Sequence, residues 1–495
     1  MTAGRRSAPF PPQVCSPRAM PGMNRRQVLI AAGTMAMAGP DLVLAQTAPA
    51  PPAAAMKADG VPTVLLEAKP AFAELQAGAV TDVWAFGGRA PGPELRLRRG
   101  DEFRARLVNG LDKPLSLHWH GLRLPNDTDG VAGLTQDPVG AGATADLRFV
   151  PTEPGTAIYR PLVPGLSGEF ADRGLAGVAV VEEAAPPPTD LDHVVAVDDW
   201  RLGENGQVAA FGDVMERAGL GRLGNVLTVN GMRSPQTLTI QPGSRIRLRL
   251  ANLCNARLLR IRFDRVKAFV VAIDGQPTDT FEPLRSTLPF APGTRYDVMF
   301  DAPAHGTTAS MVALLGAGLP LLEIKSDSAA APRREGALPP IAALPENKSL
   351  PGTVQLQRAH RHDLVIEGGA RPGPGGTLAY QGDPAKIWRL NGNPGPVAGE
   401  RWGKPLFSVR RGTPVVLAIA NRTGFAQVMH LNGQCFRLLH ALDDGWEPYW
   451  LDTLILPEGQ VSRIAFVPEA RGRWLVGSTV LERFDTGLAG WYEVN

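Results

Sequence analysis

Two short stretches carry residue types able to do metal chemistry. Leu117-His118-Trp119-His120-Gly121 lies in the first third of the chain, and Met429-His430-Leu431-Asn432-Gly433 lies near its end. In an extended strand, residues i and i+2 project to one face. His118 and His120 therefore share a face, as do His430 and Asn432. Neutral imidazole suits copper and zinc, and two histidines on one strand face are a frequent metal arrangement. His118, His120 and His430 are the candidate metal ligands. The competing reading makes them hydrogen-bonded histidines at a domain interface.

Other candidates are weaker. His360-Arg361-His362 repeats the i, i+2 pattern, but with Arg358 and Arg361 it reads as a solvated face. His193, His305 and His440 are isolated. Asp198-Asp199-Trp200 looks like carboxylates for catalysis but reads as a structural stretch. There is no serine nucleophile motif, no phosphate-binding glycine loop and no paired acid in a glycosidase context. No catalytic residue and no organic cofactor are assigned.

The elements that must position the histidines are strands. Leu95-Arg-Leu-Arg, Phe103-Arg-Ala-Arg-Leu-Val, Leu238-Thr-Ile-Gln, Ile246-Arg-Leu-Arg-Leu and Val415-Val-Leu-Ala-Ile alternate with period two. Turn signals bound each, and the chain holds 55 Gly and 46 Pro. This pattern predicts antiparallel β-sandwich, with residues 211–220 the only helical stretch. A repeat supports it: Gly100-Asp-Glu-Phe-Arg-Ala-Arg-Leu-Val-Asn109, Gly243-Ser-Arg-Ile-Arg-Leu-Arg-Leu-Ala-Asn252 and Gly412-Thr-Pro-Val-Val-Leu-Ala-Ile-Ala-Asn421 each read as a turn, a strand and an Asn. Proline-rich breaks follow the first and second copies. Three all-β domains are expected at 63–183, 190–326 and 353–495, with a linker at 327–352.

The N-terminus reads as an export signal. Asn24-Arg25-Arg26-Gln27-Val28-Leu29-Ile30 resembles a twin-arginine motif, and a modest apolar run leads to Val43-Leu44-Ala45 as the cleavage site. Met23 is a candidate true start. A flexible Ala/Pro tail is expected at 46–62. The formal charge of +3 comes from this leader, which holds five Arg against one Asp. The remaining 46 Lys and Arg face 47 Asp and Glu. Such a body has no electrostatic footprint for nucleic acid or anionic membrane. Beyond the leader no apolar run reaches the ~18 residues of a membrane helix. The expected location is the periplasm, with no membrane span after cleavage. Cys254 and Cys435 are expected as buried free thiols in different domains.

His118-Trp119-His120-Gly121, the matching strand near His430 and the three repeats resemble the three-domain, laccase-like multicopper oxidases. Pro91-Gly-Pro93, Asp129-Gly130, Val229-Asn-Gly231, Asp274-Gly-Gln-Pro277 and Trp450-Leu-Asp-Thr453 match the same family. The resemblance covers roughly residues 63–495 and implies three cupredoxin-like Greek-key β-sandwiches. It also implies copper ligands on four motifs. The first, at 118–120, is intact. At the second, Arg160 and Leu162 stand in place of two His. At the third, only His430 remains, with Gln427 and Asn432 on either side. At the fourth, Gly477-Ser478-Thr479, Arg483 and Leu488 replace His-Cys-His, His and the axial Met. A Ser hydroxyl cannot replace the thiolate of a blue copper, and three His cannot hold a cluster built on eight.

Two readings follow. One is a non-catalytic periplasmic scaffold with an unidentified cell-envelope protein partner, similar to the family's copper-free exported relatives in cell division. The other is a copper-binding protein with one residual ion, held by His118, His430, water and Asn432, and limited oxidoreductase activity. The balance leans against an enzyme. Arg160 is expected close to His120 or Asn432, hydrogen-bonded to Asn432 or a carboxylate.

Overall fold

In the first domain, Val61–Gln76 and Phe103–Asn109 lie side by side, and Thr144–Phe149 extends their sheet. A four-stranded sheet packs on it, in the order Leu95–Arg98, Gly177–Glu182, Gly155–Arg160, His118–His120. Leu66, Ala68 and Leu107 of the first sheet meet Leu97, Trp119, Tyr159 and Val181 of the second. The second domain stacks a seven-stranded sheet on a five-stranded one, and the third stacks two five-stranded sheets. Each has its own apolar core. The all-β sandwich expectation holds for all three repeats.

The structure is a computed structural model and describes residues 55–58, 61–327, 338–441 and 445–495. The expected leader, most of the expected tail and residues 328–337 of the linker lie outside these. Within the tail, Ala55–Ala58 pairs antiparallel with Val61–Val64. The described residues belong to one compact unit, Ala50–Asn495.

The repeat has a structural reason. In each domain the repeat strand pairs in parallel with the domain's first long strand: 64–68 with 105–109, 191–197 with 246–252, and 360–366 with 415–421. The closing Asn is buried and locks the next turn. Asn109, Asn252 and Asn421 accept from the N–H two residues on, at Leu111, Cys254 and Thr423. Their amides donate to carbonyls of a distant strand end, at Val139, Phe290 and Leu456. A side chain with both donor and acceptor is needed there, and Asn supplies it.

Charge alternation proves deceptive at Arg245–Asn252. Arg247 and Arg249 are buried, not solvated. They pair with Asp297 and Asp192 of the same domain and with Glu183, which ends the first domain. The polar face of this strand is an inter-domain surface. The linker also packs: Asn347 donates to Glu153 of the first domain (2.7 Å) and Gln276 of the second (2.9 Å). The expected helix is Val214–Ala218, capped by Asp213. Two further short helices, Ser167–Asp172 and Leu481–Asp485, carry no periodicity long enough to read. They meet across the first and third domains, where Asp485 accepts from the N–H groups of Ser167 (3.0 Å) and Gly168 (2.7 Å). No helix among the described residues is long and apolar enough to cross a membrane. Both Cys254 and Cys435 are free and buried.

Candidate metal centre

Strand His118–His120 pairs antiparallel with Gly155–Arg160, in the register His118↔Arg160, Trp119↔Tyr159, His120↔Ile158. Trp119 points into the first domain's core, edge-on to Phe103 and Phe149. Its burial turns both histidines to the opposite face, toward the third domain. There His430, in the centre of strand Gln427–Leu431, meets them. One ligand atom from each of the three rings lies within 4.8 Å of the others. The rings of His120 and His430 stack at 3.8 Å, and His118 stands 6.0 and 6.1 Å from them. All three are buried. Chain segments 310 residues apart are thus brought to one point by domain docking.

Backbone carbonyls fix the tautomers of His118 and His430. His118 Nδ1 donates to the carbonyl of Asp129 at 2.6 Å, and His430 Nδ1 to that of Asp452 at 2.9 Å. A carbonyl only accepts, so each Nδ1 carries the proton and each Nε2 presents a lone pair. Both Nε2 atoms are buried with no hydrogen-bond partner. His120 instead donates from Nε2 to the carbonyl of Gly293 at 3.1 Å. Burial is the main cause that lowers the pKa of all three: His118 falls to about 3, His120 well below its usual value, and His430 falls too. The histidines are therefore neutral at neutral pH.

Arg295 of the second domain holds the arrangement together. Its guanidinium grips Asp452 of the third domain through both carboxylate oxygens, at 2.9 and 2.5 Å, and donates to Thr156 O of the first at 3.1 Å. Asp452 in turn presents its carbonyl to His430. Burial opposes ionisation of Asp452, but Arg295 and His430 hold its carboxyl far below the usual range. Gly121 is required here: a Cβ would lie 2.2 Å from Arg295 Nη2. Gly130 lets the loop that carries Asp129 press onto strand 117–118, where a Cβ would meet the Leu117 carbonyl. Asp129 also accepts from Asn432 Nδ2 at 2.8 Å, and burial pushes its carboxyl up to about 7. In the sequence Asp129 and Asp452 stand out only as matches to the family pattern, and Arg295 carries no metal-ligand signal. Nothing in a linear reading assigns them to the histidines they orient.

Arg160 stands directly across from His118 in the ladder. It is buried, and it lowers the pKa of all three histidines. Burial, followed by repulsion from Arg295, brings its own pKa down to about 10, so it remains a cation at neutral pH. The expected hydrogen bond to Asn432 or a carboxylate is not formed: Nε and Nη1 of Arg160 have no partner, and neither does Asn432 Oδ1. The reason is geometric. Asn432 turns its amide N–H to Asp129, and the register places Arg160 against His118.

The blue-copper positions are filled differently. Arg483 Nη1 donates to Gln427 Oε1 (2.7 Å) and Ala426 O (2.6 Å), and Nη2 donates to Gly219 O at 3.0 Å. Its guanidinium lies 4.9 Å over the ring of Trp388. Gln427 is tied further to Thr423, Ser478 accepts from Val480 N–H, and Leu488 is core. Arg483 and Gln427 bond each other, Arg483 Nε is left without a partner, and none of these side chains is a soft donor.

Tested against copper, the donors fit neither a blue site nor a three-ion cluster. A divalent ion among the imidazoles at about 6 Å from the Arg160 charge would meet roughly 5 kcal/mol of repulsion at an effective dielectric near 20. His360 is exposed and His362 half-buried, stacked on Phe407, so that pair joins no ligand group. A second convergence unites Asp198, Asp199 and Cys254. There Asp199 is engaged by Gly224 N–H and Arg257, and burial, then Asp199 and Asp198, push the Cys254 thiol well up. A protonated thiol is a poor ligand.

Comparison with known proteins agrees with this frame. Three family profiles, each described as multicopper oxidase, match residues 68–186, 192–315 and 378–495. The multicopper oxidase MmcO of Mycobacterium tuberculosis is 29% identical over 460 residues, covering 84% of this chain and 83% of that protein. The cell division protein FtsP of Xenorhabdus nematophila is 23% identical over 429 residues, covering 83% and 85%. The crystal structure of a multicopper oxidase from Pseudomonas thermotolerans superposes with a TM-score of 0.77 at 30% identity, covering 88% of this chain and 99% of that one. The three sandwiches are of that cupredoxin-like type.

Proposed function

The chain belongs to the multicopper oxidase family, and we propose that within it this protein is a non-catalytic scaffold of the cell envelope. The reading includes export to the periplasm by the twin-arginine route, with the leader removed at Ala45, and a protein partner in the envelope. One observation carries it: two buried guanidiniums stand where the resemblance sets copper ligands, Arg483 bonded to Gln427 and Arg160 facing His118. A guanidinium never donates a lone pair to a metal. The relatives named for cell division support the scaffold role, while those named as oxidases support the fold they share.

Oxygen uptake by the purified, copper-supplemented protein, with a phenol or with Cu(I) as reductant, tests the reading. The expected rate is that of buffer alone. Turnover that scales with protein would overturn it. The second reading, one residual ion, draws on the bare Nε2 atoms of His118 and His430.

A further inference from the structure

The three-histidine chamber has lost its metal character yet kept unpaired polar atoms. Four of them are buried: Nε2 of His118, Nε2 of His430, and Nε and Nη1 of Arg160. The two imidazole nitrogens are acceptors, because each ring spends its proton on a backbone carbonyl. The two Arg160 atoms are donors. Buried polar atoms need partners, and leaving one unmet is destabilising.

We propose that Arg160 and the histidines form a metal-excluding cage that holds one water molecule. A cation there would face the fixed guanidinium. An anion would face two imidazole lone pairs, which cannot become donors without giving up the bonds to Asp129 and Asp452. A neutral molecule with two O–H donors and two acceptor sites meets both demands. Water donates to His118 Nε2 and His430 Nε2 and accepts from one N–H of Arg160, whose Nε–H and Nη1–H point to different sides of the guanidinium. Three such partners are the usual number for a buried water. One ring nitrogen from each of the three histidines lies within 4.8 Å of the others, so the imidazoles converge on one point. Arg160 is then a specificity determinant: it keeps copper and zinc out of imidazoles that are otherwise preorganised to take them.

This inference concerns the same site as the scaffold reading, but the two fail separately. Oxidase turnover with a metal-free cage would remove the scaffold and leave the cage. Metal in the cage without turnover would remove the cage and leave the scaffold.

Two measurements test it. Crystals of the wild type soaked in Cu²⁺, in Zn²⁺ and in bromide would be examined at each absorption edge. The expected result is a water-sized peak within about 3.0 Å of both Nε2 atoms and Arg160, without anomalous signal. An anomalous metal or bromide peak there, or no peak, overturns it. Calorimetric Cu²⁺ titration would then compare the wild type with Arg160→Gln and with Arg160→Gln/His430→Ala. Arg160→Gln should gain at least tenfold in affinity, about 1.4 kcal/mol, and the double variant should lose that gain. Equal affinity in the wild type and Arg160→Gln overturns the role of Arg160. Should the variants not fold, the wild-type crystals decide alone.

Discussion

The rings of His120 and His430 stack at 3.8 Å with 29° between their planes, one ring from the first domain and one from the third. Burial keeps both rings neutral, so no charge repulsion opposes the stack. The stack is held by partners outside it: Gly293 O for His120, and Asp452, gripped by Arg295, for His430. The histidines therefore sit where the first and third domains meet, each oriented by a backbone carbonyl.

Arg295→Met should be among the most damaging single changes. It leaves Asp452 buried without its counter-ion and frees contacts to all three domains. Breaking a buried pair in this way costs about 3–5 kcal/mol. Equilibrium denaturation would read this as a lowered midpoint, and an effect below ~1 kcal/mol would contradict the assigned role.

Asn421→Ala should cost about 1–3 kcal/mol, because the amide satisfies three carbonyls of a buried turn. Asn252→Ala should behave alike in the second domain. A surface Asn such as Asn205 should be neutral, and thermal unfolding of the three variants side by side checks the contrast.

Stability should depend on pH through Asp485, whose carboxyl is pushed up to about 7 by burial against a usual 3.8. The native group keeps its proton to a higher pH than the unfolded one. Its contribution is therefore full below pH ~4, declines as pH rises toward 7, and is flat above that. The span is at most about 4 kcal/mol. Buried neutral histidines act in the opposite sense, so the total slope is not diagnostic. The stability difference between wild type and Asp485→Asn isolates the group, and it should shift in favour of the variant from pH 4 to pH 7.

Rebuilding the lost thiolate site tests the positional reading of the fourth motif. Gln427→His, Ser478→Cys and Arg483→His together return two imidazoles and a thiol to facing positions. Cu²⁺ added to this triple variant should give an intense visible thiolate-to-copper band that the wild type lacks. A colourless, folded triple variant would mean that these three positions do not converge as the family's do.

The sandwiches, the repeat and the shared face of His118 and His120 were legible in the sequence because each rests on a local signal: period two, a turn glycine, or i, i+2 spacing; the meeting of that pair with His430 followed only from the resemblance. The inter-domain polar chemistry was not legible. Arg247 and Arg249 alternate as solvent-facing residues do, and only docking shows that Glu183 and Asp297 bury them. Asp485 sits 318 residues from the N–H of Ser167 that it caps. Arg160 was expected beside His120 or Asn432, whereas the ladder sets it opposite His118, and its lack of a partner at Nε and Nη1 depends on the direction taken by the Asn432 amide, which no spacing encodes.

Metal content tests the central claim most directly. The mature protein, purified from a host that exports it in copper-supplemented medium, would be analysed for elements and scanned in the visible. The account predicts far less than one copper per chain and no thiolate band. One or more copper per chain, retained through purification, would contradict it.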